Sequence, residues 1–194
     1  MQNNIAVSLY NKRRKGVIYI EGTGVFISPK HILTCYHVSK NMVDVRAIVY
    51  YPNKLVHIDT KKVWKYAALD VALLEIVGDD NEVFDHVSVY TDPTPLDKEI
   101  EIICPHDKRT PMRGQLKYTQ GLSFDYLDEV SYLIEGPRIV GGISGSPVLY
   151  ESSMIGLIHS RGLGKLNKYK SQCVPILLVW EKLRQYLCSN TLLK

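Results

Sequence analysis

The sequence predicts an all-β protein closed by a single helix, arranged as a double barrel or a sandwich. Short runs rich in valine, isoleucine and tyrosine recur along the whole chain, and turn-forming clusters separate them. Only one segment, residues 177–187, places its apolar residues Leu177, Trp180, Leu183, Tyr186 and Leu187 at helical spacing. With 194 residues, 45% of them hydrophobic, the chain can bury one large core or two smaller halves that share an interface.

Residues 5–10 read as the first strand, 11–16 as a basic hairpin loop and 17–21 as the return strand. Gly22-Thr23-Gly24-Val25-Phe26-Ile27-Ser28-Pro29 is a glycine-marked strand that ends in a turn. It lacks the following helix and the Lys-Ser/Thr pair of a phosphate loop, so nucleotide binding is not expected. Residues 31–38 continue as a strand running into His37, which by itself reads more readily as a packed or surface histidine than as a catalyst. Two β-rich runs, 43–51 and 55–64, flank the turn Pro52-Asn53-Lys54. Asp70 then interrupts the apolar run 67–76, either as a turn residue at a strand start or as a carboxylate held inside to orient an imidazole.

A polar turn at 79–82 follows, and residues 90–98, with Pro93 and Pro95, form the expected connection between two halves. Strands are expected at 99–104, 112–119 and 132–135, with a polar loop over 121–129. Beyond the segment Gly141-Gly142-Ile143-Ser144-Gly145-Ser146-Pro147, residues 148–150 and 154–159 form a hairpin. A basic turn at 165–170 precedes Val174-Pro175-Ile176, which leads into the helix.

The net charge of +4 is mild and spread along the chain, which points to neither nucleic acid nor membrane as a partner. No apolar run approaches the roughly 20 residues that span a bilayer. Met1-Gln2-Asn3-Asn4 lacks the basic and apolar regions of a signal peptide. Cys35, Cys104, Cys173 and Cys188 are widely separated with no CxxC pair. Neither a zinc site nor a disulfide framework is expected from that spacing, and a reduced cytoplasmic protein without cofactor or metal is the default.

His37, Asp70 and Ser144 occur in the order of a chemistry that needs all three. Serine is a poor nucleophile at neutral pH, so an imidazole must take its proton. A buried carboxylate then fixes the imidazole tautomer and stabilises the imidazolium. The N–H groups of Gly142 and Ser144 would form the oxyanion hole, each donor worth roughly 3 kcal/mol in the transition state. Read alone, the glycine-rich turn leaves Ser146 as a second candidate nucleophile.

These segments resemble those of the trypsin-like (chymotrypsin-fold) serine proteases, nearer the bacterial HtrA-type and glutamyl-endopeptidase branches than the digestive enzymes. The resemblance rests on Gly22 to Pro29, Ile32-Leu33-Thr34, His37-Val38, Leu69-Asp70-Val71-Ala72-Leu73-Leu74, Gly142 to Val148, Ile155-Gly156 and Val174-Pro175-Ile176. It implies two six-stranded antiparallel β-barrels in one protease domain, the first over about 1–90, the second over about 97–175, then a helix over about 176–188. It also implies a serine endopeptidase that cleaves protein or peptide substrates through an acyl-enzyme, with His37, Asp70 and Ser144 as the triad. The family pattern selects Ser144 over Ser146.

Three departures shape the expectation. Cys35-Tyr36 replaces the small residues usual before the histidine. Ile143 stands where the digestive enzymes carry an aspartate that pairs with a newly cut N-terminus, so activation by that ion pair is not expected, and control by a regulatory protein partner or by a poorly formed oxyanion loop is. Ser146 replaces a glycine, as in the glutamyl-endopeptidase branch. Arg138, His159 and Ser160 fall in the segments expected to line the substrate pocket, where a cationic lining would favour cleavage after Glu or Asp. Counting from Ser144 puts His159 in the key position, whereas counting from Gly156 puts Ile158 there. A one-residue slip reverses the side chain. The alternative is a catalytically idle trypsin-like fold acting as a protein-binding module.

Overall fold

The computed structural model describes residues 5–12, 18–78, 84–93, 95–107, 109–118, 132–136, 141–160 and 169–191. The loop expected at 121–129, the turn at 79–82 and Arg138 lie outside these residues, as does most of the basic turns at 11–16 and 165–170.

Twelve strands form two closed antiparallel barrels. The first contains β1 (Ala6–Lys12), β2 (Ile18–Ser28), β3 (His31–Cys35), β4 (Val45–Tyr50), β5 (Leu55–Tyr66) and β6 (Val71–Ile76). Their spatial order is β1-β2-β3-β6-β5-β4, closed by pairing of β1 with β4. The second contains β7 (Glu99–Ile102), β8 (Met112–Tyr118), β9 (Tyr132–Glu135), β10 (Pro147–Tyr150), β11 (Ser153–Ser160) and β12 (Lys170–Pro175). Its order is β10-β11-β12-β9-β8-β7, closed by β10 on β7. Closure leaves neither sheet with an unpaired edge.

The runs at 17–21 and 22–29 fuse into the single strand β2. The extra residue is absorbed where β1 shifts register, Leu9 facing Gly22 while Tyr10 faces Ile20. The strand expected over 31–38 stops at Cys35, which still pairs with Val71. Beyond it the Tyr36 N–H donates to the Asp70 carbonyl (2.7 Å) and draws the chain off the ladder into the one-turn helix α1 (Tyr36–Ser39), which carries His37.

Each barrel interior holds its own apolar core. Phe26, Ile32, Val49, Ile58 and Leu74 fill the first, with Phe84 stacked on Phe26 at 4.7 Å. Ile100, Ile102, Leu116, Ile134 and Ile143 fill the second. A third cluster forms the seam, where Leu33, Leu73, Val87, Leu157 and Val174 meet α2 (Leu177–Thr191). The helix presents Val179 and Leu183 to that seam, flanked by Trp180, Tyr186 and Leu187. Leu177, placed on the apolar face by spacing, is instead exposed in the first turn. The connecting segment ties the halves together, with the Val87 N–H on the Phe26 carbonyl and the Tyr90 N–H on the Met154 carbonyl, both at 2.9 Å.

Candidate active site

Asp70 sits just beyond a 3₁₀ turn (Ala67–Leu69) with φ +53°, a left-handed conformation that aspartate tolerates better than most residues. This bend turns its carboxylate back onto α1. Oδ1 accepts the His37 backbone N–H (2.8 Å), and Oδ2 accepts from His37 Nδ1 (2.5 Å). Gripping His37 through both backbone and ring fixes the ring plane and leaves Nε2 as the nitrogen that faces away from the carboxylate.

A second imidazole occupies the same oxygen. His159 Nδ1 lies 2.7 Å from Asp70 Oδ2, and the two rings stand edge to face with centroids 5.6 Å apart. Side-chain exposure is 38% for His37, 13% for His159 and 7% for Asp70, so His37 is the more accessible of the two rings. Burial alone would raise the Asp70 pKa. The hydrogen bonds from His159 and His37, with the His37 charge, outweigh it and hold the carboxyl well below the usual carboxylate range.

His159 reaches Asp70 because β11 is irregular there. Ile158 faces Cys173 and Ser160 faces Gln172, so His159 is the extra residue that a bulge inserts between them. Ile158, the alternative pocket residue, is fully buried in the second barrel's core. Of the three residues expected to line a substrate pocket, His159 is therefore placed on the carboxylate. Ser160 ends β11, and Arg138 lies outside the described residues.

Hydrogen bonds to both barrels and within the turn hold the Ser144 loop. The Thr23 N–H donates to the Ser144 carbonyl (2.8 Å), and Thr23 Oγ1 donates to the Gly142 carbonyl (3.0 Å). Gly145 N–H donates to the Ile158 carbonyl (2.7 Å), and Ser146 N–H closes a turn on Ile143 (2.9 Å). Among the described residues, neither the Gly142 nor the Ser144 N–H is engaged. Ser146 is completely buried, whereas Ser144 is partly exposed, so only Ser144 is accessible to a substrate. Its hydroxyl donates to the His159 carbonyl at 3.2 Å rather than to His37.

Beneath this loop lies His106, a residue that no sequence pattern singled out. Its Nδ1 is 3.0 Å from Ser8 Oγ of the first barrel, and its Nε2 is 3.4 Å from Cys104 Sγ. Burial lowers its pKa and favours the neutral ring, although the nearby Gly141 backbone works against that shift. Ile143 is fully buried in the second barrel's core. Ile143→Ala is expected to destabilise the chain by about 2–5 kcal/mol, read as a lower urea midpoint.

Two barrels, a partly exposed imidazole gripped by a buried carboxylate, and a partly exposed serine on a glycine-rich loop together describe a peptidase framework. The family model for the trypsin-like peptidase domain matches residues 22–157. The chain belongs to this family.

The match runs from within β2 through the Ser144 loop into β11, and so covers His37, Asp70 and Ser144, whereas His159 lies just beyond it. The trypsin-like domain is also similar to the apo MamO protease domain from Magnetospirillum magneticum. That comparison has a TM-score of 0.71 and 12% identity, and covers 93% of this chain and 96% of that one. At such identity the likeness bears on fold alone. A search of curated proteins finds no match.

Proposed function

We propose that this trypsin-like domain is a serine endopeptidase in which Ser144 attacks the scissile carbonyl. His37 Nε2 takes the serine proton and later returns it to the leaving amine. Asp70 holds the tautomer, and the Gly142 and Ser144 N–H groups receive the oxyanion. The observation that carries this reading is the double hold of Asp70 on His37, through the backbone N–H at 2.8 Å and Nδ1 at 2.5 Å. Such a hold orients an imidazole for proton transfer and has no comparable use in a passive binding module. Catalysis requires the Ser144 hydroxyl to turn from the His159 carbonyl to His37, a tightening common when substrate enters an apo site.

That same hydroxyl favours a second reading, in which the fold binds protein partners without cutting them. A fluorophosphonate probe separates the two. Covalent labelling of wild type that is lost in Ser144→Ala supports the peptidase. No labelling of either protein, with both folded, supports the binding module.

For specificity, His159 Nδ1 is committed to Asp70, so we assign His159 to positioning the carboxylate. A peptide library is then expected to show turnover after Leu comparable to that after Glu. Strict cleavage after acidic residues would return His159 to the substrate pocket.

A further inference from the structure

We propose that Cys35, His37, Asp70 and His159 form a closed tetrahedral site for zinc, and that occupancy disables His37 as a base. The metal site stands on its own geometry; only its inhibitory consequence rests on the peptidase reading.

One donor atom from each of the four residues lies within 4.8 Å of every other. The donors come from separate parts of the fold: the end of β3, helix α1, the residue after the 3₁₀ turn, and the β11 bulge. Tetrahedral zinc with bonds of about 2.0–2.3 Å places its donors about 3.3–3.7 Å apart. The widest separations here must contract by about 1 Å, and the 2.5 and 2.7 Å contacts on Asp70 Oδ2 must open by a similar amount. Both adjustments lie within reach of side-chain rotation.

The donor chemistry selects the metal. One thiolate, two imidazoles and one carboxylate suit zinc, whereas calcium and magnesium require shells of oxygen. The thiolate and carboxylate together cancel the dipositive ion, so the filled site is neutral overall. Support from beyond the ligand shell is already in place, because Asp70 Oδ1 accepts the His37 backbone N–H at 2.8 Å.

In the metal-free protein, protons fill this space. The Nδ1–H groups of His37 and His159 point at Asp70 Oδ2, and Cys35 is a fully buried thiol beside the same carboxylate. Its Sγ donates to the Ile158 carbonyl at 3.2 Å. Zinc entry releases the thiol proton to solvent. Each neutral imidazole gives up its Nδ1 proton and gains one at Nε2, so the rings release none overall. Zinc then takes the lone pairs of Cys35 Sγ, His37 Nδ1, His159 Nδ1 and Asp70 Oδ2. His37 is left with a proton on Nε2 and no lone pair for Ser144. Four protein donors leave no open position for a metal-bound water, so the metal silences the site rather than replacing its chemistry.

Cobalt(II) reads the site without reference to catalysis. The chelator-treated full chain is expected to bind one equivalent, with the intense visible bands of tetrahedral cobalt and a thiolate charge-transfer band, both displaced by zinc. Cys35→Ser should remove the charge-transfer band. Losing an outer-shell partner alone weakens metal binding by about 10–100-fold. His159→Gln removes a ligand and should exceed the upper figure, with circular dichroism confirming the fold. Weak octahedral spectra, or affinity unchanged in both variants, overturn the proposal. Zinc should also abolish fluorophosphonate labelling of Ser144, with a chelator restoring it. If metal-free wild type never labels, the peptidase reading fails while the cobalt result still decides the metal site.

Discussion

Under the proposed mechanism, Asp70→Asn is expected to lower turnover by about 10⁴-fold, with a loss of stability that depends on pH. Three N–H donors converge on this carboxylate: the His37 backbone, His37 Nδ1 and His159 Nδ1. A carboxylate accepts from all three. An amide offers one acceptor oxygen and two donor hydrogens, so at least one N–H must face an NH₂ group. His37 is then free to adopt the tautomer with its proton on Nε2, which cannot accept from Ser144. Leaving a buried donor unpaired costs about 1–3 kcal/mol.

The pH dependence follows from the depressed Asp70 pKa. A carboxyl held below its ordinary value of 3.8 stabilises the fold fully above that value and loses the contribution as pH falls through the folded pKa. The stability gap between wild type and Asp70→Asn is therefore widest near neutrality and narrows below about pH 4. Urea unfolding of both proteins at neutral and acid pH measures the gap. An unchanged gap would show that packing, and not the charge, makes Asp70 valuable.

Gly145→Ala is the second large effect, expected to destabilise by at least about 3 kcal/mol. Gly145 has φ +87°, and an added Cβ would lie 2.0 Å from the Thr23 carbonyl oxygen and 2.6 Å from Thr34 Oγ1. Backbone oxygen cannot withdraw as a flexible side chain can, so the Ser144 loop must lift away from β2. Activity should fall together with stability, because the Ser144 carbonyl is bound to the Thr23 N–H. Gly78→Ala provides the control. Gly78 also has positive φ (+126°) but is exposed, so alanine there reports backbone strain without the collision. Equal losses at both positions would remove the collision from the explanation.

Much of the architecture is legible in sequence because strand runs, turn clusters and one helical stretch are local patterns. His37, Asp70 and Ser144 are conspicuous for a related reason, since each departs from its immediate surroundings: an imidazole after a β run, a charge within an apolar run, a serine among glycines. What escapes is what depends on register and on contacts between distant segments. The β11 bulge adds one residue to the strand, and it decides that His159 meets Asp70. Cys35 reads as an oddity beside the histidine. Only folding shows that it stands with His37, Asp70 and His159, a donor set with no local spacing to betray it. His106 carries no signal, because Ser8 and Gly141, which tie it to the first barrel and to the Ser144 loop, are remote in sequence. Leu177 shows the limit of periodicity, since the seam ends before the helix's first turn.

The contacts of Thr23 have a kinetic consequence. Its N–H crosses from the first barrel to the Ser144 carbonyl, and its hydroxyl crosses to the Gly142 carbonyl. The barrels cannot part at the cleft without breaking both bonds. Exchange of the Thr23 amide with deuterated solvent therefore clocks inter-barrel opening, whereas the Leu33 and Leu73 amides, on strands inside the first barrel, report its global unfolding. A ligand that bridges the cleft should slow the first clock and leave the second closer to its unliganded rate.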